Sequence, residues 1–375
     1  MKTTIIGLIG IVIIVTVGLL LLNTNINNQI QPSQSPPENI SNQKDQDISI
    51  IAQNLEIPWE ITFLPNGDIL TTERQGRLIK VSPETQVISE IQGVRHVGEG
   101  GLLGMALHPD FENNNYIYLY YTTQENNLTN KVSRFAFKDN SLSQETLIID
   151  NIPASQNHDG GRIAFGPDGL LYITTGDSNQ PSLAQDTTSL AGKILRINSD
   201  GSIPDDNPFG NEIYSYGHRN PQGLAWDNEG RLWVTEHGPS GAQSGFDEIN
   251  LIIKGGNFGW PEITGDQQKE NMISPIIQSG ATETWAPAGI VFLNDSLFFT
   301  GLRGQTLYKA EIISGGQLNL EKFLSSEYGR LRAIAKDNNG NLYISTSNLD
   351  GRGSPKANDD KILKISNYYI EDNFF

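Results

Sequence analysis

The sequence predicts an all-β protein, a six-bladed β-propeller of four-stranded antiparallel sheets that is preceded by an N-terminal hydrophobic anchor helix. Three observations carry this prediction. One sequence unit recurs six times, each copy contains two alternating apolar segments, and a turn rich in Asn, Asp and Gly separates them. The composition agrees, because 38 glycines and 18 prolines in 375 residues favour many turns over long helices. This length suffices for one large all-β domain.

The anchor is predicted over residues 1–23. Lys2 precedes an uncharged apolar run from Ile5 to Leu22, and at ~1.5 Å per residue such a run nearly spans the hydrocarbon of a bilayer. No small-residue cleavage motif follows, so an uncleaved anchor is favoured over a cleaved secretory signal. Either alternative places the rest of the chain on the extracellular or periplasmic side. Residues 24–47 are polar and rich in Asn, Gln, Pro and Ser, as in flexible linkers, and the propeller is expected over 48–369.

Charge and cysteine content exclude several functions. The formal net charge of −17 argues against nucleic acid as a partner and restricts membrane contact to the N-terminal segment. The chain contains no cysteine, so disulfides, thiolate catalysis and cysteine-bound zinc are excluded.

The repeats define the blades. The clearest copies include "WEITFLPNGDILTTERQGRLIKV", "GRIAFGPDGLLYITTGD" and "QGLAWDNEGRLWVTEHG". Alternation with period two indicates strands, and the Gly- and Asn-containing turns between them are typical of hairpins. Two β-sandwiches would explain the strands, but not one motif recurring at intervals of 46 to 64 residues. The turns centre near Gly67, Asn114, Gly169, Gly230, Asn294 and Gly340.

The topology of a blade predicts where the polar residues meet. The first two strands of each repeat are antiparallel neighbours, so the start of the first and the end of the second lie at the same end of the blade. In a propeller the first strand lines the central channel. Residues at these positions therefore surround one mouth of the channel: Glu99, Asn157, His158, Asp177, Arg219, Asn220, His237, Trp285, Arg303, Arg330 and Arg332.

The residue types at this mouth suggest a chemistry. Four arginines within a strongly acidic chain predict a small polyanionic ligand, because guanidinium groups bind carboxylates and phosphates through paired hydrogen bonds. His158 could accept a proton near neutral pH. The "HGPSG" turn offers backbone carbonyls of the kind that a hard cation such as Ca²⁺ binds.

Ordinary structural roles remain open for each residue taken alone. A histidine in a turn commonly bonds to backbone, and arginines commonly pair with carboxylates between propeller loops. The segment Asn198 to Gly210 contains several acidic residues, but its spacing fails that of a calcium loop and favours a capped surface loop.

Several motifs together resemble the soluble quinoprotein glucose dehydrogenase and aldose sugar dehydrogenase family, also called glucose/sorbosone dehydrogenases. These are "GEGGLLGMALHPDF", "NHDGGRIAFGPDGLLYITTGD", "GHRNPQGLAW", "TEHGPSGAQSGFDEINLIIKGGNFGWP" and "GRLRAI". The resemblance covers residues 55 to 365. It implies a six-bladed propeller that binds pyrroloquinoline quinone (PQQ) and Ca²⁺ and oxidises the C1 hydroxyl of aldoses to lactones. An external acceptor then takes the electrons.

The resemblance also implies roles for individual residues. His158 matches the general base, and Arg219 matches the residue that polarises the quinone. The carbonyls of Gly238 and Pro239 match the Ca²⁺ ligands. Glu99 replaces a glutamine beside the base, where a carboxylate would strengthen His158. The residues expected to hold PQQ are Glu99, Asn220, Arg303, Arg330 and Arg332.

Some departures from the glucose dehydrogenase pattern favour the aldose sugar dehydrogenases. The segment from Asp266 to Trp285 is short where glucose dehydrogenase carries a long insertion with sugar contacts. Two other functions remain as alternatives. One is a calcium-dependent propeller lactonase or hydrolase, and the other is a ligand-binding propeller without catalysis.

Overall fold

The computed structural model describes residues 47–81, 84–240, 244–313 and 316–375, and these form six antiparallel sheets. The six-bladed propeller predicted from the repeats is confirmed. The predicted anchor, residues 1–23, and the predicted linker up to residue 46 lie outside the described residues. Within the described ranges, no helix combines the length and the apolar character that a membrane crossing requires.

The first three blades follow the order of the repeats in the sequence. Blade 1 contains β2 (Pro58–Phe63), β3 (Ile69–Glu73), β4 (Arg77–Val81) and β5 (Thr85–Glu90). Blade 2 contains β6 (Leu102–Leu107), β7 (Tyr116–Gln124), β8 (Leu128–Lys138) and β10 (Thr146–Pro153). Blade 3 contains β11 (Ile163–Phe165), β12 (Leu171–Thr175), β13 (Lys193–Ile197) and β14 (Ile213–Tyr216). Blade 2 departs from the predicted four strands, because a short fifth strand, β9 (Ser141–Leu142), pairs with β8.

The last three blades complete the ring. Blade 4 contains β15 (Pro221–Trp226), β16 (Leu232–Glu236), β17 (Glu248–Ile252) and β18 (Ile277–Gln278). Blade 5 contains β19 (Pro287–Leu293), β20 (Ser296–Gly301), β21 (Thr306–Ile312) and β22 (Leu318–Phe323). Blade 6 contains β23 (Leu331–Lys336), β24 (Leu342–Thr346), β25 (Ile362–Ile365) and β1 (Ile48–Ala52). A short helix spans Phe111–Asn114, a 3₁₀ helix spans Pro181–Gln185, and the last helix spans Asn367–Phe374.

The ring closes through its N-terminal strand. β1 pairs antiparallel with β25, with Ile48 opposite Ile365, so the outer strand of blade 6 comes from the start of the domain. The sequence repeats do not reveal this pairing, because β1 is not followed by a strand with which it forms a hairpin. The last helix extends past residue 369, the predicted end of the domain, and buries Ile370 and Phe374.

The hairpin turns and the interfaces between sheets explain the repeated pattern. Gly169 and Gly230 adopt φ values of +76° and +74° in the turns between first and second strands, a conformation that glycine adopts without steric cost. The apolar residues of the strands pack between neighbouring sheets. Tyr118 and Tyr120 of blade 2, for example, lie in one buried cluster with Ile173 of blade 3. The blades are thus held by burial of apolar side chains, and the polar residues are left for the strand ends.

Candidate active site

Residues from five blades surround one cavity of about 440 Å³ at the predicted mouth. The connections that precede first strands and follow second strands supply most of the cavity wall, as the blade topology predicts. The predicted residues that line it are Glu99, Asn157, His158, Arg219, His237, Gly238, Pro239, Arg303, Arg330 and Arg332. Asn220, Asp177 and Trp285 lie behind this wall, where they contact residues that line the cavity or its supporting loops.

A histidine and a buried aspartate form the reactive pair. His158 Nδ1 lies 2.7 Å from Asp177 Oδ1, and the aspartate side chain is fully buried. Asp177 also accepts hydrogen bonds from the indole N–H of Trp260 at 2.8 Å and the backbone N–H of Asn179 at 2.9 Å. A carboxylate can only accept here, so the imidazole donates from Nδ1 and keeps the lone pair of Nε2.

The backbone of His158 has an unusual conformation. Its φ is +63°, a region that non-glycine residues seldom occupy. Its N–H donates to Glu99 Oε2 at 2.9 Å, and its carbonyl accepts from the N–H of Ser178 at 3.2 Å. Asn220 supports the same loop from behind, because its Oδ1 accepts the N–H of Gly160 at 3.0 Å. Neighbouring loops therefore hold the imidazole in place.

Glu99 acts on the histidine through the backbone. The sequence led us to expect its carboxylate beside the imidazole, but the carboxylate that contacts the ring is Asp177. Burial raises the pKa of Glu99, and the opposing effects of Arg352, His237 and the His158 N–H outweigh it, so this pKa falls to about 2. Glu99 is therefore an ionised acceptor at any physiological pH.

Arg219 is built into the wall beside the predicted cation site. Its guanidinium donates to the carbonyl of His237 at 3.2 Å and to Ser240 Oγ at 3.1 Å, and it lies 5.4 Å from the ring of Trp260. Its buried Nε has no partner among the described residues. Burial also lowers the pKa of His237 to about 3, so that this imidazole is neutral, and its Nε2 is buried without a partner. Both residues line the cavity, and these two atoms have unused hydrogen-bonding capacity.

A second group of arginines shares one carboxylate. Asp350 lies 2.8 Å from the guanidinium of Arg330 and 3.9 Å from that of Arg332. Arg332 also donates to Ser347 Oγ and to Gln222 Oε1. Burial, together with the nearby positive charge of Arg74, lowers the pKa of Arg332 to about 9.

The cavity wall carries an excess of positive charge. It contains five arginines and two carboxylates, Glu99 and Asp247. Arg303 is exposed, and no hydrogen bond or ion pair occupies its guanidinium within the described ranges. This balance favours an anionic ligand, because buried like charges are costly unless an opposite charge lies between them.

The backbone around Gly238 could hold a cation. Asp247 fixes this loop by accepting the N–H of Gly238 at 2.9 Å, and it accepts the N–H groups of Trp285 and Ala286 at 2.7 and 3.0 Å. The carbonyls of Gly238 and Pro239 accept no hydrogen bond from any described residue. No cluster of three or more His, Cys, Asp or Glu side chains suited to a metal occurs in the described part of the chain. A cation here would depend on carbonyl oxygens.

The loop from Asn198 to Gly210 has a structural role instead. Arg196 donates to Asp206 at 2.8 Å and to Asn207 at 3.0 Å, which ties the loop to β13. The side chain of Asn207 in turn donates to the backbone carbonyls of Arg196 and Asn211. The favoured alternative, a capped surface loop, agrees with these contacts.

Sequence reasoning missed several residues of the site. Arg352 lines the cavity and bonds to Glu99 and Asn157. Buried Arg74 lies behind the wall and donates to the carbonyl of Gly98. Arg74 directly follows the second strand of blade 1, so the rule that gathered the other residues also applied to it. Asp350 and Arg352 lie farther along the connection after β24.

Comparison with known proteins identifies the family. The family model "Glucose / Sorbosone dehydrogenase" matches residues 55–357. The chain belongs to this family. Aldose sugar dehydrogenase YliI of Escherichia coli is 32% identical, and the alignment covers 85% of this chain and 92% of that protein. A solved PQQ-bound aldose sugar dehydrogenase from Streptomyces coelicolor is 38% identical, with a TM-score of 0.79 over 84% of this chain and 97% of that one.

Another relative matches a shorter part of the chain. Quinoprotein glucose dehydrogenase B of Acinetobacter calcoaceticus is 37% identical over 58% of this chain and 53% of that protein. The resemblance noted from the motifs is therefore confirmed at the level of the family. Every cavity-lining residue from Glu99 to Arg352 falls inside the matched range.

Proposed function

We propose that this chain oxidises the C1 hydroxyl of aldose sugars to lactones, with PQQ as redox cofactor and Ca²⁺ beside it. The observation that carries the proposal is the cavity in which an oriented histidine–aspartate pair faces an excess of arginine. Membership of the glucose/sorbosone dehydrogenase family supports it, as does the PQQ-bound state of the Streptomyces relative.

The residues present fit both groups. PQQ carries three carboxylates, and the cavity is lined by Arg219 and by Arg303, whose guanidinium has no partner among the described residues. Arg330 and Arg332 line it as well and share a single carboxylate, that of Asp350. Arg219, Arg303, Arg330 and Arg332 would hold the cofactor. The carbonyls of Gly238 and Pro239 would hold Ca²⁺, with the remaining positions left to other oxygen ligands.

When bound, PQQ supplies the two-electron acceptor that receives the hydride from the sugar C1. The protein supplies the base. His158 Nε2 takes the proton of the C1 hydroxyl, because Asp177 holds the opposite nitrogen as a donor. The same carboxylate stabilises the imidazolium that forms. Arg219, fixed by His237 and Ser240, offers positive charge without having to rearrange.

The substrate range, the location of the enzyme and its electron acceptor are also proposals. The segment from Asp266 to Trp285 is too short to hold a long insertion with sugar contacts, and this favours an aldose sugar dehydrogenase over a glucose-selective enzyme. We propose that the enzyme works on the extracellular or periplasmic side, attached through residues 1–23, and passes its electrons to an external acceptor.

The test is dye reduction with a panel of aldoses after the protein is loaded with PQQ and Ca²⁺. Wild-type protein is expected to reduce the dye with at least one aldose, and His158→Ala to bind PQQ normally while losing nearly all turnover, since a general base contributes ~10²–10⁴-fold. Retention of more than about a tenth of wild-type kcat would reject the role of His158. Lactone hydrolysis without dye reduction would favour the hydrolase, and neither activity would favour a binding protein.

A further inference from the structure

We propose that Arg352 is a positioning residue for His158, acting through Glu99 and Asn157 to fix the loop that carries the imidazole. This inference rests on the proposed role of His158 as base. It adds a residue of blade 6 to a reactive pair that lies in blade 3.

Arg352 joins three blades. It lies in the connection after β24, where Asp350 Oδ1 accepts its backbone N–H at 2.9 Å. Its Nη1 donates to Glu99 Oε1 at 2.5 Å, at the entry to blade 2, and its Nη2 donates to Asn157 Oδ1 at 2.7 Å, at the entry to blade 3. The planar guanidinium thus holds two loops at a fixed separation.

Both contacts lead directly to His158. Glu99 uses its second oxygen, Oε2, to accept the backbone N–H of His158 at 2.9 Å. Asn157 is the preceding residue in the chain. Arg352 therefore restrains the backbone on the N-terminal side of a residue whose φ of +63° needs support from its surroundings.

Asp350 contacts both the turn that carries Arg352 and the neighbouring Arg330 of blade 6. Its Oδ2 binds Arg330 at 2.8 Å, while its Oδ1 holds the turn that presents Arg352. The side chain of Arg352 is 53% exposed, whereas that of Glu99 is 14% exposed. Replacing Arg352 therefore removes a side chain from the rim without opening the hydrophobic core.

The charge of Glu99 depends on the same contact. Arg352 is the largest influence that opposes the effect of burial on the pKa of this carboxyl. The other titratable groups that act on Glu99 are His158, His237, Arg74, Arg219, Arg332 and Asp159. Without Arg352, the effect of burial is offset less and the pKa of Glu99 rises. Protonation of Glu99 would then weaken its bond to the His158 N–H at mildly acidic pH.

The experiment compares Arg352→Ala and Arg352→Lys with Arg231→Ala in PQQ- and Ca²⁺-loaded protein. Arg231 is a matched control, since it is an ion-paired arginine in the hairpin between β15 and β16. We expect Arg352→Ala to lower kcat ~10–100-fold, with KM for the aldose and affinity for PQQ within about twofold of wild type. Arg352→Lys should recover part of kcat, because an ammonium can pair with Glu99 but cannot bridge both loops.

Two further readouts separate positioning from general damage. The kcat–pH profile of Arg352→Ala should gain an acid limb that disappears when Glu99→Gln is added. In the apoprotein, the ¹⁵N NMR signal of the His158 ring, assigned with His158→Ala, should show one tautomer in wild type and Arg231→Ala and mixed tautomers in Arg352→Ala. This measurement does not depend on PQQ chemistry.

Three outcomes would overturn the inference. A rise in KM with unchanged kcat would make Arg352 a substrate contact, and a loss of PQQ affinity would make it a cofactor contact. A wild-type tautomer signal together with wild-type kcat in Arg352→Ala would show that the bridge is dispensable. If wild-type protein reduces no dye with any aldose, the proposed function fails instead, and the NMR comparison still tests the bridge.

Discussion

Replacing Asp177 with asparagine tests the reactive pair in the most specific way. Asp177 Oδ1 accepts from His158 Nδ1 and from the N–H of Asn179, and its Oδ2 accepts from the indole of Trp260. An asparagine whose oxygen takes the Oδ1 position keeps the first two bonds. Its NH₂ group then faces the indole N–H, a contact between two donors. Asp177→Asn therefore keeps the tautomer of His158 but removes the negative charge.

The size of the effect follows from the change in hydrogen bond. A bond to a charged acceptor contributes about 1.5–3 kcal/mol and a neutral one about 0.5–1.5 kcal/mol. The imidazolium formed during the reaction thus loses ~1–2 kcal/mol of stabilisation, which corresponds to a ~5–30-fold fall in kcat. Asp177→Ala removes the acceptor altogether and should approach the ~10²–10⁴-fold loss of His158→Ala.

The assay is steady-state dye reduction with a saturating aldose, with circular dichroism to check folding. Asp206→Asn is the matched control, because Asp206 pairs with Arg196 and Lys254 on the surface, and its kcat should equal that of wild type. A fall of less than twofold in Asp177→Asn would refute the charge argument. A loss as large as that of His158→Ala would show that the tautomer, or the fold of the loop, had changed.

Three other expectations concern the cofactor, the cation and pH. Arg330→Ala leaves Asp350 with only the more distant Arg332, at 3.9 Å. Equilibrium titration should show PQQ binding weakened ~10–100-fold, because one charge-assisted contact to the cofactor is lost. Chelating Ca²⁺ should weaken PQQ binding but leave the apoprotein melting temperature nearly unchanged, because Asp247 already fixes the Gly238 loop. Burial raises the pKa of Asp159 from 3.8 to about 7, so the folded state binds more protons than the unfolded state across that window and stability falls as pH rises through it. Asp159→Asn should remove this dependence. In urea unfolding, the difference in unfolding free energy between the variant and wild type should shift in favour of the variant by up to ~4 kcal/mol from pH 4 to pH 8.

The sequence was informative about the fold because each blade is coded locally. Alternation and Asn- and Gly-containing turns specify a hairpin within one repeat, and stacking of repeats then places the strand ends together. The closure of blade 6 by β1 has no such local signal, since its partner β25 lies more than 300 residues away. The fifth strand of blade 2 is too short to produce a pattern.

The sequence predicted which residues gather at the site better than it predicted which of them contact each other. Topology brought His158, Arg219 and Arg330 to one cavity. Consecutive residues that enter a strand point to opposite sides, so Arg219 faces the cavity while Asn220 turns to the loop behind. Which carboxylate contacts the imidazole depends on side-chain direction, and sequence order cannot supply that.

Arg352 was missed for a different physical reason. It lies six residues beyond the end of β24, in a connection whose course depends on the turn that Asp350 builds. Arg74 immediately follows β3 and satisfies the same rule as the residues that were found. Reading the end of every second strand, including those of blades 1 and 6, would have identified Arg74 and pointed to the connection that carries Arg352.

Equilibrium titration with PQQ is the most direct test of an arginine-lined quinone site, followed through tryptophan fluorescence with Trp260 close to Arg219. Our account predicts saturable binding of one PQQ per chain that requires Ca²⁺, persists in Arg231→Ala and is lost when Arg330 and Arg332 are both replaced by alanine. Absence of saturable binding to calcium-loaded wild-type protein, or equal binding by the double variant, would contradict it.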